Sequence, residues 1–95
     1  MITEIATLKI APEQAQSFEA ALAKARPLFE ASPDCLSFRL DRVIETPGTY
    51  LLMVGWTSVE AHMTTFRASQ NFQSWRALAS PFFIEPPNVV HTSTV

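Results

Sequence analysis

The chain has 95 residues, 47% of them hydrophobic and 17% charged, with a formal net charge of −2 at pH 7. That length suits one domain over residues 1–95, and the apolar content is too high and too evenly spread for a disordered chain. The mild acidity and the lack of any Lys/Arg cluster argue against nucleic acid as a partner.

No apolar run approaches the roughly 18 residues of a membrane span, and MITEIATLKI carries no basic stretch ahead of an apolar one, so no membrane association or secretion signal is expected. A lone cysteine, Cys35, cannot form an internal disulfide, which fits a reducing compartment and predicts a cytoplasmic protein. Only two glycines occur, Gly48 and Gly55, so no glycine-rich phosphate loop or dinucleotide fingerprint can be written. His62 and His91 are the only histidines, and no His/Cys/carboxylate spacing reads as a metal site. The expectation is a protein that works without metal or organic cofactor.

Residues 2–10, ITEIATLKI, partly alternate and read as a strand with Ile2, Ala6, Leu8 and Ile10 on one face together with Glu4. Pro12 suits a first helical turn, and Phe18, Leu22, Ala25 and Phe29 recur at helical spacing through 13–31. Pro27 falls inside that pattern and predicts a kink or an early weakening. Ser32-Pro33-Asp34 is a break. Residues 36–45 read as a second strand, with Leu36, Phe38, Leu40 and Ile44 on one face and Ser37, Arg39 and Asp41 on the other. Thr46-Pro47-Gly48-Thr49 is a turn, whose shortness implies an antiparallel hairpin.

YLLMVGW, residues 50–56, is apolar on both faces, the mark of a strand buried on both sides. Thr57 and Glu60 have capping-box spacing, and Val59, His62, Met63 and Phe66 then share one helical face. Ser69-Gln70-Asn71 interrupts the pattern before Phe72, Trp75, Ala79 and Phe82 resume it. Pro81, Pro86 and Pro87 end helical structure, and NVVHTSTV, 88–95, is a final strand.

The order β-α-β-β-α-β predicts a ferredoxin-like α+β fold with a four-stranded antiparallel sheet. Right-handed crossovers put the first and third strands in its middle. Two helices cover only one face of such a sheet, while Leu51 and Met53 make the other face apolar. An uncovered apolar face is an interaction surface, so a homodimer packed sheet against sheet, a dimeric α+β barrel, is expected.

From YLLMVGW through TSVEAHMTTFRASQNFQSWRAL to PFF and NVVH, the chain resembles the antibiotic biosynthesis monooxygenase family of small dimeric proteins. The resemblance implies oxidation of polycyclic aromatic phenols or quinols by molecular oxygen, with neither metal nor flavin, the deprotonated substrate supplying the electrons. By position, Trp56 matches a tryptophan that lines the family's pocket. His62 stands where polyketide-oxidising members carry a proton-exchanging tyrosine, and Arg76 matches an arginine of the following helix. Leu52 stands where those members carry an asparagine. Haem-degrading relatives carry an asparagine on the first strand, a tryptophan near Phe66 and a histidine near Arg76, and none of the three is present here.

The residues singled out are therefore His62, Trp56 and Arg76 as catalytic, and Tyr50, Leu52, Phe66 and His91 as the substrate pocket. A lone histidine on an apolar helical face is most often a core residue with one hydrogen bond, and aromatic residues at helical spacing are most often core. Against that, an imidazole titrates near ~6.5, close to where a general base works best. Two functions follow. In the first, a cofactor-independent monooxygenase acts on a small or polycyclic aromatic quinol: His62 takes a phenolic proton, Trp56 stacks on the ring and Arg76 steadies the anion. In the second, favoured by Leu52, the protein is a non-catalytic dimeric module that holds an apolar ligand.

Overall fold

A computed structural model describes residues 1–95. Strand β1 spans Ile2–Lys9, helix α1 Ala15–Glu30, β2 Cys35–Arg42, β3 Thr49–Trp56, helix α2 Gln70–Ala79 and β4 Asn88–Thr92. Single turns of 3-10 helix precede α1 and follow α2, and a wide π-helical turn, Ala61–Phe66, lies between β3 and α2. The sheet is wholly antiparallel with the order β2-β3-β1-β4, the ferredoxin-like arrangement that right-handed crossovers predict. No helix is long and apolar enough to cross a membrane.

Alternation sorts the sheet residues onto two faces. Glu4, Ala6, Leu8 and Ile10 of the first segment, and Tyr50, Leu52, Val54 and Trp56 of β3, are buried beneath the helices. α1 seals β3, setting Phe18 against Tyr50 with ring centroids 5.0 Å apart and Phe29 against Trp56 at 6.2 Å. On the opposite face the register aligns Arg39, Met53, Ile5 and Val90 in a row across all four strands. Leu51, Met53 and Ile5 are only half-buried and Val90 is exposed. Nothing in the chain covers that row.

Three local expectations change. The second strand ends at Arg42, and a register irregularity between Cys35 and Ser37 turns Leu36 outward, so Leu36 and Ile44 are 52% and 87% exposed. α1 runs on through Pro27 to Glu30. Its inner residues Phe18, Leu22, Ala25 and Phe29 are all buried, and that packing outweighs the hydrogen bond Pro27 cannot donate. Thr57 does not cap the next helical segment. Its hydroxyl donates to Asp34 Oδ1 at 2.8 Å, and the cap is Ser58, whose Oγ accepts from the Ala61 N–H at 3.0 Å.

The turn before β3 relies on Gly48, at φ +88°, a conformation that L side chains rarely adopt. Its carbonyl accepts the Ile10 N–H at 2.7 Å, and a Cβ at Gly48 would collide with the Ile10 carbonyl oxygen. This contact fixes the end of β1 against the β2–β3 connection.

Candidate active site

A cavity of about 260 Å³ opens between the helices and the sheet, over β1. Glu4, Ala6 and Leu8 of β1 and Val89 of β4 form its sheet side, and Phe29, Phe66, Phe72 and Trp75 supply aromatic walls. His62 lies at its inner end, and Arg67 and Arg76 also line it. The π-helical turn helps to shape the site. Its widened bond, from the Arg67 N–H to the His62 carbonyl at 3.2 Å, is of the kind often found at functional sites. Ser69 then caps α2, accepting the Phe72 N–H at 3.1 Å, so Phe72, Trp75 and Arg76 follow on a newly aimed helix.

Four side chains form a connected polar group at the inner end. The Trp56 indole N–H donates to Glu4 Oε1 at 2.9 Å, and His62 Nε2 lies 3.3 Å from the same oxygen. His62 Nδ1 is 2.9 Å from His91 Nε2. The imidazole stacks on the Trp56 ring, with centroids 5.2 Å apart and planes 12° apart. Glu4 and His91 are register partners on β1 and β4, so the sheet itself sets one side of the group.

Burial governs the charge states. It raises the Glu4 carboxyl to about 7, with the indole bond and the positive charge of Arg67 countering it only in part. Burial also lowers His62 to about 4, and the neighbouring His91 and Arg67 push in the same direction. Near neutral pH the imidazole is uncharged and the carboxyl is close to half-protonated. The cavity arginines differ from the rest: Arg26, Arg39 and Arg42 each pair with a carboxylate within 3.3 Å, whereas Arg67 and Arg76 have no such partner. Arg67 lies over the Phe72 ring, 5.8 Å from its centroid. The arrangement combines an apolar aromatic chamber, a buried acid–base pair and two uncommitted cations. Such a chamber suits a flat anionic or ionisable ring.

The sequence model of antibiotic biosynthesis monooxygenases matches residues 1–78. The chain belongs to the antibiotic biosynthesis monooxygenase family. It is similar to a candidate antibiotic biosynthesis monooxygenase from Bordetella bronchiseptica, with 45% identity, a TM-score of 0.95, and coverage of 99% of this chain and 96% of that one. A second candidate of the same description, from Caulobacter crescentus, is 25% identical with a TM-score of 0.85, over 99% of this chain and 89% of that one. The uncharacterized protein YczJ of Bacillus subtilis (strain 168) is 34% identical over 95 residues, the full length of both chains. SnoaB of Streptomyces nogalater, a cofactor-independent oxygenase, shares the fold at 17% identity, with a TM-score of 0.80 over 98% of this chain and 91% of that one.

Within this antibiotic biosynthesis monooxygenase fold, His62, Phe66 and Arg76 line the cavity, and His91 reaches it only through His62. Trp56, Tyr50 and Leu52 do not line it. Those three lie on β3, which α1 closes, whereas the space lies over β1. Trp56 is fully buried and stacks on His62. Tyr50 shares its strand face but stands six residues, about 20 Å of strand, away. There its hydroxyl donates to Glu19 Oε2 at 2.6 Å, beside the two-bond Arg42–Glu19 pair. That arginine, and then the tyrosine hydroxyl, hold Glu19 down at about 2. Leu52 is a core residue, 1% exposed.

The sequence reading of the site did not include Glu4 or Arg67. Glu4 had left a signal: a carboxylate among Ile2, Ala6 and Leu8 on an inward strand face needs a buried partner. Arg67 had none, because the π-helical turn that brings it to the cavity has no marker in MTTFRAS.

Proposed function

We propose that this protein is a cofactor-independent monooxygenase that oxidises a one- or two-ring aromatic phenol or quinol with molecular oxygen. The observation that carries the reading is the cavity itself, an aromatic chamber with the Glu4–His62 pair at its inner end. An apolar cavity of about 150 Å³ takes a benzene ring, so about 260 Å³ suits one or two rings better than a polycycle. The ring lies against Phe66 and Phe72. Loss of its phenolic proton to the buried pair makes it electron-rich enough to reduce oxygen directly, and Arg67 and Arg76 hold the anion. Trp56 keeps the His62 ring in place. Family membership and the cofactor-independent oxygenase activity named for SnoaB support oxygen chemistry on this scaffold.

The protein acts as a homodimer through the open sheet face, where the Met53–Ile5–Val90 row needs an apolar partner. Oxygen-electrode measurements with a panel of one- and two-ring hydroquinones test the function. Uptake of one O₂ per substrate is expected, without stoichiometric iron, copper or flavin by elemental analysis and absorption spectroscopy. Rings that bind but consume no oxygen would make the protein a binding module instead.

A further inference from the structure

Both ring nitrogens of His62 are engaged, Nε2 facing Glu4 and Nδ1 facing His91. No nitrogen of this imidazole is left for a substrate. Glu4 differs. Its Oε1 receives the Trp56 indole and faces His62 Nε2, while Oε2 has no hydrogen-bond partner. No buried side-chain nitrogen or oxygen in the chain lacks a partner, so Oε2 is not sealed in the core, and Glu4 is one of the residues that line the cavity.

We infer that Glu4, through Oε2, is the catalytic acid–base residue of the cavity, and that His62 is a positioning residue that holds Oε1. This rests on the monooxygenase reading and names the group that carries its proton. With Glu4 ionised, the Nε2–H tautomer of His62 donates to Oε1 and its Nδ1 accepts from His91 Nε2–H, which satisfies every polar contact in the group. The substrate O–H bond breaks and its proton moves to Oε2. The electron pair left on the ring forms a C–O bond to oxygen. The O–O bond then breaks as that ring carbon gives its hydrogen to the departing oxygen, and the carbon becomes a carbonyl. The hydroxide released takes the proton back from Glu4 and leaves as water. The substrate loses two hydrogens and four electrons, O₂ supplies the carbonyl oxygen and the water, and no proton enters or leaves overall.

A base that must also return its proton works best with a midpoint near the working pH, and burial holds Glu4 at about 7. The groups that face it are His62 and Arg67 from the helical side, Trp56 from β3, His91 from β4 and the Cys35 thiol from the start of β2. None is a carboxylate, so this proton store has one acidic member.

Glu4→Gln tests the assignment, because its amide oxygen can still accept from Trp56 and His62 while its nitrogen can accept no proton. It should lose at least about 100-fold in kcat with KM changed less than about threefold, and recover rate at alkaline pH as the phenol ionises unaided. His62→Gln should lose less in kcat and should shift the midpoint of the pH–rate profile. A Glu4→Gln enzyme with wild-type kcat and pH profile overturns the role of Glu4 and leaves the monooxygenase reading intact. No oxygen uptake by wild type with any ring sinks that reading itself. Carbon-13 NMR titration of the Glu4 carboxyl needs no substrate: a midpoint near 7 supports the proposal, and one in the ordinary carboxylate range overturns it.

Discussion

His62 Nε2 lies 3.3 Å from Glu4 Oε1, and both side chains are almost closed off from solvent, 5% and 6% exposed. Removed from water, each favours its uncharged form, and their effects on stability run in opposite pH directions. A carboxyl raised from 4.5 to about 7 contributes stability that is full below its unfolded value and lost as pH rises through about 7. An imidazole lowered from 6.5 to about 4 contributes stability that is full above its unfolded value and lost as pH falls through about 4.

Between pH 4.5 and 6.5 the two effects oppose one another, so wild-type stability should be nearly flat there. Glu4→Gln removes one of them. The stability of that variant should fall as pH drops from 6.5 toward 4, with a slope approaching about 1.4 kcal/mol per pH unit. Denaturant midpoints at several pH values in that window check this. A variant as flat as wild type would mean that His62 is not held neutral.

Trp56→Phe keeps an aromatic ring against His62 but removes the indole donor to Glu4. The expected loss is about 1–3 kcal/mol by urea denaturation, since a buried acceptor loses a partner. Because that bond lowers the Glu4 midpoint, the variant's carboxyl should titrate above the wild-type value. An unchanged midpoint would break the link between Trp56 and the acid–base pair.

His62→Phe should also destabilise, by about 1–3 kcal/mol, because Glu4 and His91 each lose a buried contact. Helical periodicity alone predicts the reverse, because Val59, Met63 and Phe66 on the same face offer His62 no side-chain hydrogen bond and an apolar substitute would then be harmless. Thermal or chemical unfolding of the variant separates the two expectations.

Ser58→Ala should cost about 0.5–2 kcal/mol as a lost helix cap, whereas Thr57→Ala, which removes only an exposed bond to Asp34, should cost less. Denaturation of the two variants side by side decides it. A larger loss at Thr57 would restore the capping-box reading.

Light scattering at micromolar concentration should give about twice the 10.6 kDa chain mass. Ile5→Asp or Met53→Asp, each in the middle of the open row, should lower mass and stability together, because obligate dimers often lack a stable monomer. A stable 10.6 kDa species for wild type would remove the sheet-to-sheet dimer.

The sequence by itself determined the element order, the strand order and the inner face of the sheet. Side chains repeating every second residue in ITEIATLKI and at helical spacing from Phe18 to Phe29 are local facts, and crossover handedness turns them into a topology. It also pointed to an unusual His62, because a lone imidazole among Val59, Met63 and Phe66 is visible in one helical turn. Only the tertiary structure decided where the cavity lies. α1 packs its phenylalanines over β3, which closes the strand that carries Tyr50, Leu52 and Trp56 and leaves the space over β1. It also decided what His62 bonds. Glu4 and His91 lie 58 and 29 residues from it along the chain, and no local period links them. They meet because antiparallel register sets Glu4 beside His91 and the π-helical turn lowers the imidazole between them.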